Sequence, residues 1–171
     1  MLSSVFALVF FCLCLYAGVK DTLTFTIPNW MNLTFLGLFV PAAFASQIGW
    51  GVAGAHILVG VAALIIGYGL FAFRVLGGGD AKMIPGVMLW IGPDGALLFI
   101  LGMAVAGGAL SIVVLIARKS LPVEVAPGFA RKILTQENGI PYGVAIAAGA
   151  FMAASQSPLL VGLINQLGGV H

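Results

Sequence analysis

The chain has 171 residues, 61% of them hydrophobic and only 7% charged, with a formal net charge of +2. A soluble domain carries roughly a quarter of its residues as charges, so most of this exterior must face lipid, and a cytosolic enzyme is excluded. The length suits a single domain, taken as 1–171. The seven Lys and Arg stand in ones and twos, without the basic stripe that tracks a phosphate backbone, which argues against nucleic acid as a partner.

A membrane helix needs about 20 mostly apolar residues. Residues 1–19, 22–73, 95–117 and 138–171 contain no Asp, Glu, Lys or Arg. The first run lacks the basic start and the cleavage site of a signal peptide, so it is read as a span, 2–19. The second is too long for one helix and is divided by the polar and glycine residues from Ser46 to Gly51 with the interfacial Trp50, which predicts spans 30–48 and 52–73. A short fourth span is predicted over 81–92, between Gly77-Gly78-Gly79 and Gly92-Pro93, then spans 95–117 and 141–166. Ser155-Gln156-Ser157-Pro158 should kink the last one, with hydroxyls or water meeting the freed carbonyls. Its Ala145, Gly149 and Ala153 recur every four residues as a close helix contact. Pro127 to Leu134 reads as a short surface helix, with Phe129 and Ile133 on one face and Arg131 and Lys132 near anionic headgroups. The fold class is therefore all-α: a polytopic membrane protein, a six-helix bundle with a short fourth helix.

The basic residues fix the orientation. Lys20 follows the first span, Arg74 and Lys82 flank the turn after the third, and Arg118, Lys119, Arg131 and Lys132 separate the fifth from the sixth. The positive-inside rule places these three loops in the cytoplasm and both termini outside. Asp21 and Asp80 then share the cytoplasmic side, Asp94 lies outside, and Glu124 and Glu137 fall in a solvated loop. With its outer end at the interface, the short fourth span leaves Asp80 about 12 Å inside the hydrocarbon core. An ionisable group at that depth is costly enough that function is the default reading.

Other chemistries fail on inventory. The two histidines, His56 and His171, cannot assemble an H-E-x-x-H zinc site. His56, read as an interfacial residue, lies across the membrane from both aspartates and cannot serve a Ser-His or Cys-His pair with them. Cys12 and Cys14, two apart on a helix, point apart and read as packing residues. The run Gly77 to Lys82 departs from the G-x-x-x-x-G-K-S/T phosphate loop, and Asp80 would repel a phosphate. No metal or other cofactor is expected. What remains is a carboxylate pair, which hydrolyses an amide when the two share one proton: one takes a proton from water and the other donates to the carbonyl. Glycines without Cβ let backbone unwind and a substrate strand approach closely, although a tight inter-helix turn uses them equally well.

These residues resemble a known set. Gly77-x-Gly79-Asp80 is similar to the G-x-G-D signature of intramembrane aspartic proteases, and Asp80-x-Lys82 to its prepilin peptidase branch. Asp21 followed six residues later by Ile27-Pro28-Asn29 resembles that family's first-aspartate motif, and Ile140-Pro141-Tyr142-Gly143-Val144-Ala145-Ile146 resembles the opening of its last helix. The resemblance extends to the short, catalytic-only peptidases of Flp or tight-adherence pilus systems. It implies Asp21 and Asp80 as catalytic residues of an aspartic endopeptidase in the bacterial inner membrane. The implied partner is a prepilin precursor, cut at the cytoplasmic face just after a glycine, where a short basic leader meets a hydrophobic helix. Larger relatives insert a cysteine-rich methylating domain; with no cysteine pair outside the first helix, this chain is not expected to methylate. Pro28 and Asn29 start the second helix or position Asp21. Lys82 either favours the charged member of the pair or snorkels into headgroups. Gly77 and Gly79 complete the site-shaping set. A competing class, a small proton-coupled transporter or a non-proteolytic pilus-assembly subunit, would use the same aspartates to relay protons, and it predicts internal repeats that the motifs do not show.

Overall fold

The computed structural model describes residues 2–120, 131, 133–135 and 139–168. Among them there is no strand, and the elements follow the apolar runs. They are α1 (Leu2–Thr24), α2 (Asn29–Ser46), α3 (Trp50–Ala72), α4 (Gly78–Ser120), α5 (Gly143–Ala153), a 3-10 turn (Ala154–Gln156) and α6 (Pro158–Gly168). By length and composition, Ser4–Thr24, Trp50–Ala72 and Gly78–Ser120 can each cross a membrane. The bent pair Gly143–Gln156 and Pro158–Asn165 adds a fourth crossing if taken as one span. The exposed Leu8, Ile65, Leu97 and Val105 suit a bundle whose outer surface is solvated by lipid.

The expected fourth and fifth spans are two arms of one helical segment. α4 is interrupted only at Gly92, with φ 74° and ψ −176°, a backbone region open essentially to glycine alone. Gly60 and Gly67 of α3 face Leu89 and Ala81, and Gly95, Gly102 and Gly107 face Ala153, Gly149 and Ala145. Both orders run in reverse, so the 78–91 arm is antiparallel to α3, and the 93–120 arm is antiparallel to α5. Gly143 and Asp21 lie at the end of the bundle where Gly107 meets α5, so α4 folds back on itself at a single residue.

That fold-back frees two carbonyls, and the bundle supplies their donors. Pro93 has no N–H to offer Leu89 four residues earlier, and the His56 ring takes its place, Nδ1 donating to Leu89 O at 2.9 Å. Ser157 Oγ donates to the next carbonyl before the break, Trp90 O, at 2.7 Å. His56 thus does not face headgroups: it is fully buried within the bundle, its tautomer set by the Leu89 carbonyl, and its Nε2 has no partner. A Cβ on Gly92 would lie 2.4 Å from His56 Cε1, so the ring occupies the space a side chain there would need.

The last span bends by 71° around Ser157, as the Ser-Gln-Ser-Pro run predicts. The hydroxyl of Ser157 serves α4 and also accepts from Leu160 N–H at 3.3 Å, so it caps α6 as well. The expected small-residue contact is present: a Cβ on Gly149 would lie 2.7 Å from Phe99 O, so the two backbones touch where the side chains vanish. Trp90, stacked on Phe10 with centroids 5.3 Å apart, donates its indole N–H to Phe35 O at 2.8 Å and fastens α4 to α1 and α2. Of the predicted surface helix, Arg131, Ile133 and Leu134 are described, with Leu134 buried and Ile133 O accepting from Arg118 Nε at 2.9 Å. Phe129 and Lys132 lie outside the described residues, as do Glu124 and Glu137.

Candidate active site

Asp21 occupies the last turn of α1. The helix stops because Phe25 adopts φ 53°, and its N–H closes the turn on Asp21 O at 2.7 Å. Buried Ile27 and extended Pro28 (φ −65°, ψ 142°) then carry the chain into α2, whose first residue is Asn29. Asp21 is 7% exposed, and its Oδ2 accepts a hydrogen bond from Gly143 N–H at 2.8 Å. Gly143 is the first residue of α5, where backbone N–H groups lack helical partners and the helix dipole favours negative charge. No other residue type fits there: a Cβ on Gly143 would lie 2.8 Å from Asp21 Cβ and 3.1 Å from its Oδ2.

Asp80 stands in the first turn of α4, opened by Ala81 N–H donating to Gly77 O at 2.9 Å. The three glycines before it serve different contacts. A Cβ on Gly77 would meet Asp80 Oδ2 at 2.9 Å, one on Gly78 the Phe71 ring at 3.2 Å, and one on Gly79 Ile27 Cβ at 3.4 Å. Gly77 therefore leaves room for the carboxylate, while Gly79 lays the turn against the segment that follows Asp21. Packing of Gly79 on Ile27 brings Asp80 to Asp21's end of the bundle, near enough for the charge of Asp21 to act on Asp80. Asp80 is half-buried.

Lys82 turns to α2: its exposed ammonium donates to Asn29 Oδ1 at 3.0 Å, tying the start of α4 to the start of α2. The structure thus gathers Asp21, Asp80, Gly77, Gly79, Lys82, Pro28 and Asn29 at one end. Asp94 sits exposed beside the Gly92 break at the opposite end. Among the described residues, no group of three His, Cys, Asp or Glu side chains could hold a metal ion. Gly143 is the site residue that sequence reasoning missed. It lies inside the Pro141-Tyr142-Gly143-Val144 motif, but nothing in the motif tells that its N–H reaches a side chain 122 residues earlier.

The model of the type IV leader peptidase family matches residues 8–112, a segment that holds both aspartates and the glycine turn. The chain belongs to this family, which is one of aspartic peptidases, and it is an apolar multi-helix membrane protein of the prepilin peptidase kind. No curated protein and no solved structure matches it.

Proposed function

We propose that this protein is an intramembrane aspartic endopeptidase that removes the short leader from type IV prepilins of the Flp type, with Asp21 and Asp80 as its catalytic pair. The observation that supports the reading is that Asp21 of α1 and Asp80 of α4 lie at the same glycine-lined end of an otherwise apolar bundle. The single domain 1–171 crosses the bacterial inner membrane six times, with both termini external and the pair toward the cytoplasm.

The surroundings divide the labour between the two groups. Asp21, whose Oδ2 accepts from Gly143 N–H at a helix start, is assigned as the base, with the shared proton on Asp80. Asp21 takes a proton from water as its oxygen attacks the scissile carbonyl, and Asp80 donates its proton to the carbonyl oxygen, giving a tetrahedral diol. On collapse, the proton held by Asp21 passes to the departing amine and a diol hydroxyl returns one to Asp80, which restores the pair. Gly77 keeps Asp80's carboxyl unobstructed, Gly79 sets the spacing between the start of α4 and the segment after α1, and Pro28, Asn29 and Lys82 hold the start of α2 against that of α4.

The test is cleavage of a reconstituted precursor carrying a short basic leader, a glycine and a hydrophobic helix, followed by gel mobility. Asp21→Asn and Asp80→Asn keep the shape of the side chain but cannot exchange the proton. Each is expected to abolish cleavage while inserting normally, with the double variant no worse than either. Asp94→Asn is expected to cleave normally. Cleavage surviving in either pair variant sinks the mechanism and leaves the proton-relay reading in its place.

A further inference from the structure

α2 and α3 follow each other in sequence, yet each packs chiefly on α4 or on α1 and α6. An apolar groove remains between them, open to lipid and floored by Pro85, Gly86 and Leu89 of α4. Two stretches, of about 650 Å³ and 530 Å³, share Phe39, Val40 and Ile57 and so form one channel. It begins at Asn29 and Lys82, two residues from Asp80, and ends at Gln47 and Trp50. From Asn29 to Gln47 the helix rise gives about 27 Å, nearly the ~30 Å of the hydrocarbon core. A groove of that length, leading from the far interface to the carboxyl pair, matches one transmembrane helix.

Asn32 points to the chemistry of the occupant. It lines the groove, and both its amide nitrogen and its amide oxygen are buried without a hydrogen-bond partner. An orphaned amide in an apolar setting is destabilising, and a leucine there would spare that cost. One donating and one accepting group match a peptide unit, whereas a lipid acyl chain offers neither. A helix must unwind before its backbone can be cut, and the peptide groups it releases inside the membrane need partners.

We propose that the α2–α3 groove seats the hydrophobic helix of the substrate and that Asn32 is a positioning residue that takes up backbone groups released where that helix unwinds toward Asp21 and Asp80. This rests on the peptidase reading above, but its occupancy can be measured without cleavage.

The probe is a synthetic precursor with a short basic leader, a glycine and a 20-residue apolar helix bearing a thiol-reactive crosslinker at mid-helix, in phospholipid vesicles. The acceptor is the full chain with Cys12→Ser, Cys14→Ala and Asp80→Asn, carrying one new cysteine at Leu36 in the groove or at Leu97, which is 68% exposed on the other arm of α4. Crosslinking at Leu36→Cys is expected to exceed that at Leu97→Cys at least tenfold. Equal labelling overturns the groove assignment and leaves a surface for lipid, whatever the fate of the peptidase reading. With active enzyme, Leu36→Trp with Val61→Trp should raise KM at least tenfold, with Leu97→Trp unchanged. Asn32→Leu should lower kcat about tenfold while the protein becomes harder to unfold; wild-type kcat in that variant overturns the role of Asn32. If wild-type enzyme cleaves nothing while Leu36→Cys crosslinks, the peptidase reading falls and the groove stands.

Discussion

Gly143→Ala tests the joint between α1 and α5 that holds Asp21. The added Cβ would lie 2.8 Å from Asp21 Cβ, 3.1 Å from its Oδ2 and 3.2 Å from Ala17 O. Carbon atoms settle at about 3.5–4.0 Å, so Asp21 or the start of α5 must retreat by close to 1 Å. Two of the three neighbours belong to Asp21 itself, and the third is backbone of the same helix. A retreat of that size lengthens the 2.8 Å bond from Gly143 N–H beyond useful range. A hydrogen bond to a charged group contributes about 1.5–3 kcal/mol, and each 1.36 kcal/mol is tenfold in rate, so cleavage should slow by about ten- to a hundredfold. Overpacking adds about 1–3 kcal/mol of destabilisation.

The assay is initial-rate precursor cleavage beside a denaturant titration of the same preparation, which separates slow chemistry from loss of folded protein. Gly18→Ala is the internal control, since it lies on the same interface with its added Cβ 3.4 Å from Val144 Cα, an ordinary contact that should leave the rate within about threefold. Wild-type cleavage by Gly143→Ala would refute the reasoning, because a carboxyl that tolerates such displacement is not held by that N–H.

Gly92→Ala combines a backbone region closed to alanine with a Cβ 2.4 Å from His56; a loss of about 2–6 kcal/mol is expected, measured by denaturant unfolding, and near-wild-type stability would contradict the fold-back. His56→Leu removes the donor to Leu89 O and should cost about 1–3 kcal/mol, with cleavage per folded molecule unchanged. Gly79→Ala should cleave within about threefold of wild type because its Cβ has 3.4 Å to Ile27, whereas the branched side chain of Gly79→Val overfills that contact and should abolish cleavage without blocking insertion. A reporter fused after Lys119 should be cytoplasmic and one after His171 external; a cytoplasmic C-terminus breaks the topology.

How much of this was legible from residues alone depended on what each residue does. Apolar runs report their environment, so α1, α3 and the kink at Ser157 follow directly from composition and proline placement. The aspartates and their glycines stood out because charge and flexible backbone are costly in lipid. Pairing across the bundle left no such mark. Hydropathy marks Gly92-Pro93 as punctuation but not as a reversal in one residue, because the reversal depends on donors from His56 and Ser157, far apart in sequence. A polar ring near a span's end usually faces headgroups; the carbonyl freed by Pro93 instead turns His56 into the bundle. Gly143 went unread for the same reason, since its N–H matters only through its distant partner.

In the proposed topology the reversal at Gly92 also sets how deep the two carboxyls would lie, and the two arms of α4 give that depth separately. From Asp80 to Ile91 the short arm rises about 17 Å. With Gly92 at the outer edge of a hydrocarbon core of about 30 Å, Asp80 stands about 13 Å inside the inner edge. The long arm passes the level of the pair at Gly107, which faces Tyr142 and Ala145, and continues to Arg118 and Lys119. Those cations belong among headgroups, and the rise from Gly107 to Arg118 is about 17 Å. The distance counted inward from these cations thus comes within about 4 Å of the one counted back from the Gly92 turn. If the pair cleaves a substrate helix at that depth, the helix must surrender two or three turns of its own hydrogen bonds, and the unpaired amide of Asn32 in the adjoining groove is the group proposed to meet them.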